Sequence, residues 1–233
     1  LQERYEQDLD PLVGVSVGGL RPALRADGWR PVALPEEGSL PWSAEFIEDH
    51  PHLVRAYADL TGAGDGTTPL ADQVRASQAL VRDVADRVEG AAASSMDPDG
   101  LDDDVDGLAG RLGQVARLIT GGLPTRAFHV EHGGDFDTHA RQSELLPAHL
   151  GELDQALQDF DRRLGPDRDR VVVATWTEFG RRPEWNGDGT EHGTAGTQLV
   201  LGPRVRGGHH GDPVSLTRFD RDDNFVVTTD FRD

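Results

Sequence analysis

Arg170 to Thr175 reads RVVVAT, a β-branched apolar run with no polar alternation. Such a run suits a strand buried on both faces, the situation of a central strand in a parallel sheet. Leu12 to Val17, LVGVSV, is a second run of this kind and ends at Gly18-Gly19; Arg126 to Glu131, RAFHVE, also reads as a strand. Parallel neighbours need long crossovers, and the segments between these runs carry helical periodicity. Leu70, Val74, Ser77, Val81, Val84 and Val88 recur at spacings of four and three after the helix-starting pair Thr68-Pro69. Leu108, Leu112, Val115 and Ile119 mark a second helix, stopped by Gly121-Gly122. Leu146, Leu150, Leu153, Leu157, Phe160 and Leu164 form an apolar stripe ended by Gly165-Pro166. Strand, helix, strand, helix, strand implies an α/β domain with a mostly parallel sheet.

The minor elements fit the same plan. Arg30 to Leu34 reads as an edge strand, because Pro31 has no ladder donor. Ser43 caps an expected helix running to about Leu60, and the segment 43–121 is expected to lay helices over the sheet. Residues 97–106 read as an acidic loop, Thr197 to Leu201 as a further strand and Phe225 to Thr228 as a short one. No internal repeat appears, so the expectation is one α/β domain over residues 1–233.

Composition narrows the function classes. The chain carries 23 basic and 42 acidic residues, a net charge of −19, which argues against a nucleic-acid partner and against an anionic membrane surface. All the basic residues are arginine. With no cysteine there is no thiolate zinc site, disulfide framework or cysteine nucleophile. No apolar run approaches the roughly 20 residues that span a bilayer. No G-x-S-x-G elbow is present, which argues against a serine-hydrolase triad.

Chemistry-bearing residues gather where two of the strand runs break into glycine-rich turns. After Phe128 to Glu131 comes HGGDFDTH, with Asp135, Asp137 and His139; carboxylate and imidazole together suit zinc and harder divalent cations. The competing reading is a turn in which the aspartates bond their own backbone. After the RVVVAT run comes TWTEFGRRPEWNGDGTEHG. There Glu178 stands where ligands bind in open α/β sheets, and Arg181 and Arg182 suit an oxyanion; a surface Glu–Arg pair is the alternative. His192, eleven residues past Arg181, either folds back over the strand end or is merely solvated. Asp102 to Gly107 opens like a calcium loop, but Gly113 stands where that loop needs a bidentate Glu. His209-His210 reads as an exposed loop.

Three segments taken together, 116–142, 171–208 and 228–232, resemble the bacterial family catalogued as domain of unknown function 1501, a sulfatase-like branch of the alkaline phosphatase superfamily. The order FDTH, EFGR-x-P-x-x-N, G-x-x-H-G carries the resemblance, which is weak before about residue 105. It departs from the pattern at Glu191, where the family usually has Asp, and at Trp185 before Asn186. The resemblance implies a three-layer α/β/α fold of alkaline-phosphatase type and a metal-dependent hydrolase of phosphate or sulfate esters. It implies Asp137, His139, Glu178 and His192 as ligands to divalent ions (Zn, Mn, Mg or Ca), with Arg181 orienting the loop or binding the anion. A small anionic ester or an extracellular polymer would be the substrate, in a periplasmic or extracellular setting. Only the family's later portion is matched: its export signal, first strand and nucleophile region have no counterpart before Leu12. The expectation is therefore a partial fold with an open sheet edge, covered by a second copy or another chain, or a non-catalytic binding module that retains the fold.

Overall fold

The structure is a computed structural model and describes residues 10–18, 31–35, 49–53, 55, 69–95 and 107–229. The protein is mixed α/β, and the chain divides into two compact units. One comprises residues up to His132 together with Ala156–Leu164; the other comprises Gly133–Gln155 and the residues from Gly165 onward.

The first unit is built on three parallel strands in the order β2-β1-β3: β1 Gly14–Val17, β2 Val32–Leu34 and β3 Ala127–Val130. A short 3-10 turn, Pro11–Val13, leads into β1, and the Asp10 carboxylate accepts from the Leu12 amide at 3.0 Å to start it. Val15 pairs with Val32 on one side and Phe128 on the other. All four β1 residues are buried, as an apolar run flanked on both sides requires. Ser16 is the exception in chemistry: fully buried, it meets its register partner His129 through Oγ and Nδ1 at 3.4 Å. The expected edge strand at 30–34 is β2, at the sheet's edge.

Two long helices of the described residues lie wholly within this unit. Helix α1, Pro69–Ala93, and helix α2, Gly107–Thr120, follow the periodicities of the sequence, but among the described positions of the α1 stripe Ser77 and Val81 are exposed. Val84, Ala85, Val88 and Ala91 are buried, whereas Val81 is 47% exposed. The core packs Leu12, Val15 and Leu34 from the sheet side against Val84, Val88, Ala91, Leu118 and Leu123. Helix α2 ends in a Schellman motif. The Leu123 amide reaches the Leu118 carbonyl at 2.9 Å and the Gly122 amide reaches Ile119 at 3.1 Å. Gly122 takes the left-handed φ of +83° that this turn demands, and Leu118 and Leu123 meet in the core as the motif's apolar pair.

Helix α3, Gln142–Leu164, contributes residues to both units. Its expected stripe is covered only toward the C-terminal end: Ala156, Phe160 and Leu164 are buried, while Leu150 is 46% exposed. Gly165, at φ +51°, ends it.

The second unit carries two small antiparallel ladders. Strands β4 Val173–Ala174 and β7 Val200–Leu201 pair with each other, as do β5 Gly180–Trp185 and β6 Thr190–Gly193. The central parallel strand expected at Arg170–Thr175 is therefore corrected: only two of its residues form a strand, the pairing is antiparallel, and Val172 is 53% exposed. The physical reason lies in the intervening chain. Residues 180–193 fold on themselves as a hairpin, which returns Val200–Leu201 alongside in the opposite direction, without a crossover. Thr197–Leu201 shortens to β7, and Phe225 forms an isolated antiparallel bridge to Phe219. The acidic loop, the calcium-like segment Asp102 to Asp106 and most of the helix expected from Ser43 lie outside the described residues. Among the described residues no helix is long and apolar enough to cross a membrane.

Candidate metal centre

The site belongs wholly to the second unit and rests on the β5–β6 hairpin and the turn before α3. Asn186 to Gly189, NGDG, makes the hairpin's tip: the Asn186 side-chain oxygen accepts from the Asp188 and Gly189 amides at 2.9 and 2.7 Å. The hairpin register sets Arg181 opposite His192. Gly189 is buried where the turn runs tight against the other segment. A Cβ there would lie 2.5 Å from the backbone of Thr138 and His139. Asn186 ties the same segment from the side, donating to the His139 carbonyl at 3.1 Å.

That docking brings three ligand-type atoms to one point. His192 Nε2 lies 2.7 Å from Asp137 Oδ1, His139 Nε2 lies 2.8 Å from the same oxygen, and the two imidazole nitrogens are 3.3 Å apart. Three atoms with lone pairs directed at one another need protons or a cation between them. A four-coordinate ion with bonds of about 2.0–2.1 Å has ligand–ligand edges of about 3.3 Å, and a six-coordinate one about 2.9 Å. The observed edges fall near both values, and two nitrogens with one carboxylate oxygen are a donor set that first-row divalent ions accept.

The surroundings hold these atoms in place. The Asp137 carboxyl lies below the usual carboxylate range, chiefly through its hydrogen bond with His192, with the nearby charges of His139, His192 and Arg181 adding to the effect. The Asp135 carboxylate accepts from the Asp137 amide at 2.9 Å, so the backbone-bonded aspartate turn and the convergent cluster coexist. Phe179 stacks on His192 with ring centres 4.1 Å apart and planes 21° from parallel. The Arg181 guanidinium lies 4.9 Å from the Phe179 ring centre. It donates to the carbonyls of Thr190 and Phe136, the latter at 2.6 Å, and stands 3.6 Å from Asp137 Oδ1. Those bonds fasten the turn to the hairpin, so orientation is the role its geometry supplies.

Of the four ligand candidates from the sequence, Asp137, His139 and His192 come together, with donor atoms within 4.8 Å of one another. Glu178 is exposed and stands outside that group. Sequence reasoning assigned no role to Glu191, whose Oε2 lies 2.8 Å from His139 Nδ1, or to Asn186, whose amide donates to Glu191 Oε1 at 3.2 Å. The signal was available in NGDG, a strong turn sequence that sets the residues on its two sides opposite each other.

These features define a mixed α/β protein with an exposed Asp/His/His cluster whose atoms could hold a divalent cation. Residues 70–231 match the family described as protein of unknown function (DUF1501), and the chain belongs to that family. No curated protein and no solved structure matches the chain.

Proposed function

We propose that this chain is a metal-dependent hydrolase of phosphate or sulfate esters, of the sulfatase-like, alkaline-phosphatase type that its motifs resemble. The observation that carries the reading is the convergence of Asp137, His139 and His192 within 3.3 Å of one another. Two imidazoles in the set favour zinc or manganese over magnesium or calcium, which prefer all-oxygen shells. A divalent cation would supply Lewis acidity there, polarising an ester's phosphoryl or sulfuryl oxygen and balancing the charge that develops on it. The chain's own residues do the rest: Arg181 fastens the Asp137 turn to the hairpin, and Phe179 fixes the plane of the His192 ring. Glu178 enters the proposal as a further ligand from the strand end that precedes Phe179. The three-layer α/β/α fold and an exported setting follow from the resemblance. So does a second copy or partner chain covering an open sheet edge.

The test combines metal analysis with turnover. The purified chain is expected to retain or take up zinc or manganese and to hydrolyse aryl phosphates or aryl sulfates, and Asp137→Ala is expected to abolish both. Metal uptake without turnover of either ester class would instead mark a binding module. If neither metal is taken up, the proposal fails.

A further inference from the structure

We infer that Glu191 is the positioning residue of this centre: it holds the His139 ring with Nδ1 protonated, so that Nε2 presents its lone pair to the metal. The inference rests on the metal reading above.

A neutral imidazole carries one N–H and one lone pair, and the partner at one nitrogen decides what the other can do. At Nδ1 of His139 stands a carboxylate oxygen of Glu191, 2.8 Å away. An ionised carboxylate only accepts, and Nε2 faces a second one, Asp137 Oδ1; with a cation in place of a proton between those two atoms, the ring's one proton goes to Nδ1 and Nε2 keeps its lone pair. Nε2 is the atom that faces Asp137 Oδ1 and His192 Nε2. Glu191 is itself held: its other oxygen accepts from the Asn186 amide at 3.2 Å. That amide also donates to the His139 carbonyl at 3.1 Å, so one side chain fixes both the carboxylate and the backbone of the histidine it orients. The Asn186 oxygen is meanwhile committed to the hairpin tip. Both Glu191 oxygens are thus engaged away from the point where the three ligand atoms meet, and Glu191 is not among the residues that converge there. The chain forms a carboxylate–histidine pair beside a candidate metal, an arrangement that fixes the tautomer and orients the ring.

The experiment uses the full chain stripped of metal with a chelator and titrated with zinc against a chromophoric competitor. Relative to wild type, E191A is expected to weaken zinc binding by about 10–100-fold. E191Q, whose amide oxygen still accepts from Nδ1–H, is expected to recover most of that loss. In the zinc-loaded protein, nitrogen–proton correlation spectra should show a protected Nδ1–H on His139 in wild type and its rapid exchange in E191A. A merely structural role would not move that signal. Equal zinc affinity for wild type and E191A, or zinc attached to Nδ1 of His139, would overturn the inference while leaving the proposed function standing. Absence of zinc and manganese binding by the wild-type chain would overturn both. If E191A does not fold, N186A carries the comparison: weaker zinc binding is expected, and affinity equal to wild type would overturn the inference.

Discussion

At the scale of single residues, Asp10 shows how one carboxylate serves two jobs. It caps the turn that starts β1 and takes two bonds from Arg87 of α1, at 3.1 and 2.5 Å. The Arg87 hydrogen bonds hold its carboxyl below the ordinary value of 3.8, with the Leu12 amide and the Arg87 charge assisting. A carboxylate whose folded pKa is depressed contributes fully above its unfolded pKa and loses that contribution as pH falls through the folded value. With both side chains about a third exposed, the pair is worth about 1 kcal/mol or less. The stability gap between wild type and Asp10→Asn, measured by urea unfolding, should be flat from about pH 5 to 8 and close below about pH 4. A gap that persists at about pH 2 would show that the ion pair is not its source. Side chains like this are hard to read from sequence, since Asp10 and Arg87 stand 77 residues apart. Asp137, His139 and His192, which the fold brings together, stood out through the resemblance of their motifs; the residues alone fitted a backbone-bonded aspartate turn and a solvated histidine as well. Glu191 was not, because a glutamate before a histidine is ordinary until the hairpin aims it.

At the scale of elements, the helices and the parallel strands were legible and the hairpin was not. Helices α1 and α2 repeat their apolar residues at three and four, a spacing that no strand reproduces. The core position Leu118, 1% exposed, is also the apolar anchor of the α2 cap. Leu118→Ala should cost about 2–5 kcal/mol in urea unfolding, and a loss below about 1 kcal/mol would mean that the core collapses around the gap. Strand β5, GRRPEW, shows neither alternation nor an apolar run, so only its turn could have announced it. The hairpin depends on Gly189, because any Cβ there would meet the Thr138–His139 backbone at 2.5 Å. Gly189→Ala should push the hairpin from the Asp137 turn and cost about 1–3 kcal/mol. Zinc binding should fall with it by more than about tenfold, since ligand atoms must stay within about 0.5 Å of working positions. Unchanged zinc affinity in Gly189→Ala would mean that the cluster does not depend on this close approach.

At the scale of the whole molecule, the RVVVAT run revealed that a strand forms there but not which strand pairs with it. RVVVAT reads as strand wherever it sits, and its antiparallel partner Val200–Leu201 is set by the chain that folds between them. Charge, by contrast, is a property of the whole chain that needs no fold to be counted. With 42 acidic against 23 basic residues the net charge is −19 at pH 7. An anionic ester approaching such a molecule meets like charge before it meets the site, and the Arg181 guanidinium beside Asp137 is already bonded to backbone carbonyls. The repulsion reaches about 30 Å at 0.01 M salt and about 8 Å at 0.15 M, so salt removes it. If the chain hydrolyses phosphate or sulfate esters, kcat/KM for a doubly charged aryl phosphate should rise over that salt range. The rise should be smaller for a singly charged aryl sulfate and absent for a neutral carboxylic ester. The bare site does not predict this order, because a cation at Asp137, His139 and His192 would attract anions and salt would weaken that attraction. The sign of the salt effect therefore decides which field the substrate feels: a rise means the −19 of the whole chain dominates encounter, and a fall means the local cation does.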